Sequence, residues 1–218
     1  MIRVLDAMLS LAALLFLAAF LLPVVVVLKL TGEGEVFYVQ ERVGRGGNLF
    51  GLLKFATMLK DSPNIGTGDI TVQNDYRVLP FGRFLRKTKI NELPQLWNIL
   101  RGDMSIVGPR PMVPNTYELY TGEARQQLDS VRPGLTGLGS IFFRDEELYL
   151  ADKPDPIKFY KEQIIPYKSH LELWFVLNRN TWLYVKIILV TAWVVLYPSS
   201  TLPKKAFRGL PPVPSGLG

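Results

Sequence analysis

Residues 87–111 read KTKINELPQLWNILRGDMSIVGPRP, and this stretch carries the side chains best suited to phosphate chemistry. Leu93, Leu96, Trp97 and Leu100 stand at i, i+3, i+4 and i+7, which predicts a helix with one apolar face. Asn91 suits the N-cap, Pro94 is tolerated in the first turn, and Gly102 suits the stop. Glu92 then falls in the opening turn, where the helix dipole favours negative charge. Unpaired amides at the same end favour a bound phosphate. A capped, buried helix with Glu92 answering the dipole explains these residues equally well. It does not explain the GPRP segment at 108–111.

The neighbouring elements must position this stretch. Residues 35–58 place a β-prone VFYV run before Gly44, Gly46 and Gly47 and an apolar run after them, which is a hairpin signal. The glycines lack the spacing of a dinucleotide-binding fingerprint and read as turn chemistry. Residues 60–75 read as a long polar surface loop carrying Asp61, Asp69 and Asp75, most of them expected to be solvated. In residues 76–89, Arg77, Arg83, Arg86, Lys87 and Lys89 alternate with apolar Val78, Leu79, Phe84 and Leu85. Such a basic amphipathic stretch attracts phosphates or lies on a membrane surface, unless it is a plain solvated face.

The ends of the chain are apolar. Residues 7–28 carry no charge, and as one helix they reach about 33 Å, enough to cross a bilayer. The run is too long for a signal peptide. Pro23 predicts a kink or break, and Arg3 and Lys29 put positive charge on both flanks. A helix that enters and returns to one face fits this pattern, and so does a proline-kinked anchor. Residues 158–178 read as one or two amphipathic helices, and residues 182–197 as an aromatic-rich helix lying at an interface or covering the globule. Lys204, Lys205 and Arg208 favour an anionic leaflet, and residues 211–218 look like a loose tail.

The net charge of +6 suits nucleic acid, anionic lipid or phosphorylated substrates. Its placement beside apolar segments, with no recognition motif, argues against nucleic acid. The absence of cysteine excludes disulfides, zinc–thiolate sites and thiol catalysis. His170, the one histidine, is a poor basis for a Ser-His-Asp mechanism.

The strings VFYVQERVGRGG, LLKFATM, GRFLRKTKINELPQLWNILRGDMSIVGPRP and VRPGLTGLGS resemble the bacterial sugar transferases, monotopic phosphoglycosyl transferases that act on polyprenyl phosphate. The resemblance covers about residues 3–196. It implies an α/β fold, mostly helical with a small β-hairpin or sheet, on a monotopic membrane protein with amphipathic interface helices. Residues 1–32 would be a membrane-inserted re-entrant helix broken at Pro23. Residues 33–200 would form the cytosolic catalytic domain, and 201–218 a basic, proline-rich tail. The implied reaction moves a phosphosugar from a UDP-sugar to undecaprenyl phosphate and releases UMP, with Mg2+ neutralising the diphosphate. It would be the first membrane step of glycoconjugate assembly, at the cytoplasmic face of the bacterial inner membrane. The resemblance also allows a homodimer.

Asn91 and Glu92 fall where family members often carry an Asp-Glu catalytic pair. An amide has no anionic oxygen and attacks phosphorus poorly, so Asn91 leaves the nucleophile open. Glu92 itself, the acceptor phosphate or another carboxylate could attack; alternatively the chain is an inactive membrane scaffold of the same fold. Glu92 is expected to be the essential carboxylate, as metal ligand, base or nucleophile. Asp103 is a weak substitute, about 18 Å from Asn91 along a continuous helix. Arg110 and Arg132 match the family's arginines and suit bidentate phosphate binding, with Arg86 and Lys54 as further phosphate contacts. Either arginine could instead pair with a carboxylate. Ala56 replaces a basic residue usual in the family. Asp145, Glu146 and Glu147 could bind metal or sugar, or simply open a helix.

Overall fold

The computed structural model describes residues 2–66, 71, 74–120, 122–151, 153–214 and 217. Asp69 and the side chain of Glu147 lie outside these residues.

The chain opens with helix α1, Ile2–Leu30, long and apolar enough to cross a membrane. Strands β1 (Phe37–Val43) and β2 (Leu49–Phe55) follow as an antiparallel hairpin that pairs Phe37 with Phe55 and Val43 with Leu49. Its connection turns at Gly46 and Gly47, both with positive φ, which only glycine adopts cheaply. Helix α2 is Pro80–Lys87 and helix α3 is Gln95–Arg101. Strand β3, Ser105–Val107, runs parallel to β4, Gly134–Thr136. Helices α4 (Pro114–Tyr117) and α5 (Gly122–Asp129) fill the crossover between them. Beyond β4 come α6 (Leu138–Phe142), α7 (Glu146–Leu150) and α8 (Pro156–Phe159). A π-turn at Tyr160–Ile164 leads into α9, Ile165–Asn178; α10 is Thr181–Leu196 and α11 is Leu202–Ala206. The expected mostly helical fold with a small hairpin is therefore present, with a second, parallel pair of strands.

The sequence places a break at Leu22-Pro23, but the helix runs through it. Pro23 sits on the exposed face, so it forfeits only the ladder bond to Ala19. The opposite face keeps Leu21, Val24, Val25 and Leu28 packed against Phe55 and Leu85. Farther back, Ala13, Leu14 and Leu17 pack on Leu52, Leu96, Ile99 and Met104. Both ends of α1 thus touch the same globule. Its outer face is bare and apolar: Leu15, Phe16, Phe20 and Leu22 are all more than 60% exposed.

A polar knot fixes the start of α1. Buried Asp6 accepts from Ser105 Oγ (2.8 Å), from the Ile106 amide (3.1 Å) and from the Tyr184 hydroxyl. It joins α1 to β3 and α10 at one point. Arg3 donates to the Ile99 and Leu100 carbonyls at 2.5 and 2.6 Å, satisfying orphan acceptors at the end of α3. Asn98 on α3 binds the hairpin through the Leu53 amide (2.9 Å) and the Gly51 carbonyl (2.8 Å).

Helix α10 buries Leu183, Tyr184, Ile187, Val190 and Val194 and leaves Trp182, Leu189 and Leu196 outside. That is the covering helix the sequence suggests. The region read as a loose tail is not loose where described. Phe207 and Leu217 join the core around α9 and α10, and Tyr167 donates to the Pro211 carbonyl. Apolar side chains spaced among prolines anchor it.

Asp6→Ala leaves Ser105, Ile106 and Tyr184 short of an acceptor, and each such loss costs about 1–3 kcal/mol. We expect about 3 kcal/mol of destabilisation in all, seen as a melting temperature lower by roughly 6–12 °C in detergent.

Candidate active site

The chemistry gathers around a short turn. Residues 90–101 keep helical backbone, but the first part, Ile90–Glu92, is a 3-10 turn and the α-helix begins only at Gln95. Pro94 cannot donate, so the Glu92, Leu93, Leu96 and Trp97 amides bond three residues back. Asn91 is therefore not an N-cap, and its side chain caps nothing. It is buried, and its Oδ1 has no partner. Lys89 enters the turn with φ of 60°. The expected apolar face also shifts, since Leu96 and Ile99 are buried whereas Trp97 is half exposed.

Glu92 meets Arg110 rather than the helix dipole. The guanidinium Nη2 donates to Oε1 at 2.9 Å, and the carboxylate is only 15% exposed. Burial alone would raise the Glu92 pKa. The charge and hydrogen bond of Arg110, with Lys54 and Lys89, outweigh it and hold the carboxyl at about 2. Glu92 is thus ionised at neutral pH. In turn it raises the Arg110 pKa.

Lys54 projects from β2 beside this pair, and its Nζ donates to Gln40 Oε1 at 3.2 Å. Burial, then the charges of Arg42 and Arg110, push its pKa well down. Arg42 on β1 donates to Gln40 Oε1 (2.5 Å) and to the Pro111 carbonyl (3.0 Å), tying the hairpin to the GPRP turn. Burial lowers Lys89 as well. Arg86 lines the same cavity, with Nη1 3.6 Å from Met58 Sδ. The cavity measures about 1630 Å³ and includes Lys54, Arg86, Asn91, Glu92 and Arg110 in its wall. Its lining also includes apolar Ala13 of α1, Leu135, and Ile188, Ala192 and Val195 of α10.

The family described as Bacterial sugar transferase matches residues 1–198. The chain belongs to the bacterial sugar transferase family. It is 32% identical over 211 residues to the UDP-galactose-lipid carrier transferase of Erwinia amylovora, covering 89% of this chain and 41% of that protein. The undecaprenyl-phosphate galactose phosphotransferase of Salmonella typhimurium is 34% identical over 183 residues, 77% of this chain and 35% of its own. Exopolysaccharide production protein ExoY of Rhizobium meliloti is 42% identical over 154 residues, 64% of this chain and 67% of its own. The chain thus spans about two fifths of the Erwinia protein and a third of the Salmonella one.

Arg132 does not join the site. Its Nε donates to the Gly102 carbonyl at 2.8 Å, so it caps α3 instead of reaching the cavity. Arg77 leaves the basic cluster too. It is buried in an ion pair with Asp75 (2.6 Å) and donates to the Ser62 and Ile65 carbonyls. Asp75, expected in solvent, is therefore a structural anion. Asp103 faces Asn98 and Arg101, consistent with its weak claim. Glu146 is held by Lys168 Nζ, 2.7 Å from both carboxylate oxygens, on the cavity wall.

Among the described residues, no three His, Asp or Glu side chains group to hold a metal. Glu92 offers one carboxylate, already bonded to Arg110 through Oε1. A divalent ion would therefore rely on diphosphate oxygens and water, a mode that suits Mg2+.

Glu172 on α9 is the site residue that sequence reasoning missed. It is 4% exposed and lines the cavity. Burial raises its pKa to about 7, against the pull of the Arg110 and Gly139 amides and of the Lys168 and Arg110 charges. No motif flags it, because the carboxylate acts from a distant amphipathic helix.

A carboxyl raised in the folded state stabilises the fold fully below its unfolded value of 4.5, and that contribution is lost as pH rises to about 7. Glu172→Gln removes the loss. We expect it to gain up to about 3 kcal/mol on wild type between pH 4 and pH 8, at about 1.4 kcal/mol per pH unit. Denaturant melts across this range measure it.

Proposed function

We propose that this chain transfers a sugar phosphate from a UDP-sugar to polyprenyl phosphate and releases UMP, at the cytoplasmic face of the bacterial inner membrane. The observation that carries this reading is the mixed lining of one cavity. It holds the Glu92–Arg110 pair with Lys54 and Lys89, a setting for a diphosphate. It also holds apolar Ile188, Ala192, Val194 and Val195 of α10, a setting for an isoprenoid chain. The names of the Erwinia and Salmonella relatives support the substrate classes. Contact of both ends of α1 with one globule supports a monotopic seat, with the bare outer face in lipid and Arg3 and Lys29 at headgroup level.

Burial and the neighbouring arginines lower the Lys54 pKa, and an arriving diphosphate opposes that shift and favours the protonated lysine. Arg110 has five donors, so it can keep Glu92 and still bind phosphate oxygens. Mg2+, held by Glu92 and the diphosphate, would neutralise the charge that builds on the departing UMP.

Asn91 supplies no anionic oxygen, and Glu92 is engaged by Arg110 through Oε1 and held low enough to be a poor base. In this reading the acceptor phosphate attacks directly. One of its oxygens bonds to the β-phosphorus as the bond to the bridging oxygen breaks, and UMP leaves with that electron pair. Asn91 lines the cavity with its carbonyl unpartnered, an acceptor for a hydroxyl of the transferred sugar.

Glu92→Gln should lower UMP release from UDP-galactose or UDP-glucose with undecaprenyl phosphate by at least about 100-fold. Unchanged release would remove Glu92 from the site. Labelled UMP should not exchange into the UDP-sugar when acceptor is left out; exchange would mean a covalent phosphosugar on the protein. The amide at position 91 also favours a second reading, an inactive scaffold. Its signature is no wild-type turnover with any UDP-sugar and a gain of turnover in Asn91→Asp.

A further inference from the structure

Glu172 is a buried acid that the reaction above does not use. Its surroundings are built around the carboxylate. Oε1 accepts from the Arg110 amide at 3.4 Å. A Cβ on Gly139 would stand 2.3 Å from Oε1, so the backbone of that loop lies directly against the acid. A Cβ on Gly137 would stand 3.7 Å from Oε2. Oε2 has no partner, and neither does buried Ser140 Oγ in the same loop.

The Arg110 residue is thus held twice. Glu92 takes its side chain and Glu172 takes its main chain. The turn that carries it has little other slack: a Cβ on Gly108 would meet the Arg132 carbonyl at 2.5 Å, and one on Gly137 the Gly108 carbonyl at 2.2 Å. A shift of this turn would carry the guanidinium away from Glu92 and from any phosphate bound there.

We propose that Glu172 is a positioning residue, whose carboxylate fixes the Arg110 backbone and so aims its guanidinium at the transferred phosphate. This rests on the phosphosugar-transfer reading and names a further residue of that site. The groups that face Glu172 are Arg110 from the turn, Lys168 from its own helix and Tyr120; the 137–140 loop brings no titratable group. Ionised, the carboxylate accepts a stronger, charge-assisted bond from the Arg110 amide. The clamp is therefore tighter on the alkaline side of its titration, and kcat/KM gains from it as pH rises from 6 to 8.

Two variants test this. Glu172→Gln keeps shape and an acceptor but cannot titrate. It should stay within a few-fold of wild type at pH 6 and lose at least 3-fold of the wild-type rise towards pH 8. Glu172→Ala should lose 10-fold or more in kcat at both pH values. Hydrogen exchange of the Arg110 amide, followed by mass spectrometry in detergent without substrate, should speed up at least 10-fold in Glu172→Ala and recover in Glu172→Gln. A Glu172→Gln pH profile that overlays wild type overturns the proposal, and so does unchanged exchange at Arg110 in Glu172→Ala. Absence of wild-type turnover with any UDP-sugar would instead defeat the transfer reading, and the exchange measurement would still decide whether Glu172 holds Arg110.

Discussion

An arginine and a glutamate 2.9 Å apart, 18 residues apart in sequence, set the character of the cavity. Neither partner is tolerable alone. A buried carboxylate without Arg110 would protonate, and three nearby cations without Glu92 would repel one another. Together they make a charged wall that stays charged at neutral pH. Around Glu92 the lining gathers Lys54, Lys89, Arg42, Arg86 and Arg110, a local concentration of basic side chains. A dianionic ligand relieves that excess, and much of the surrounding fold serves to keep these groups from drifting apart.

The scaffold does so by tying local elements to distant ones. Arg42 clamps the hairpin to Pro111, Asn98 clamps α3 to the hairpin, and the parallel β3–β4 pair holds the GPRP turn against the glycine loop. Parallel strands need a long crossover, and here that crossover carries α4 and α5. Close backbone approach at Gly108, Gly134 and Gly137 explains why the turn can be narrow enough to present one arginine.

Local patterns were the legible part. Alternation and glycines gave the hairpin, and the apolar ends gave α1 and α10. Lys54, Arg86, Asn91, Glu92 and Arg110 do meet at one cavity. The misreadings have a common cause, since residue type names a chemistry but not a partner. Arg132 and Arg77 look like phosphate ligands, yet both satisfy backbone carbonyls that the fold would otherwise leave bare. Asn91 looks like a cap, yet Pro94 tightens the turn and frees the side chain. Glu172 was invisible because its partner is a backbone amide, that of Arg110, 62 residues away in the chain.

The bond between Asp6 and Tyr184 spans 178 residues. The knot holds the start of α1 only when α10 is already packed on the globule, so these two helices lock together or not at all. Until they do, Asp6 has neither Ser105 nor Tyr184 as a partner, and the packing face of α1 lacks the Leu52 and Phe55 clusters it covers. A contact this distant in sequence closes a long loop, so the joining of α1 to α10 is the slow step expected in assembling the fold.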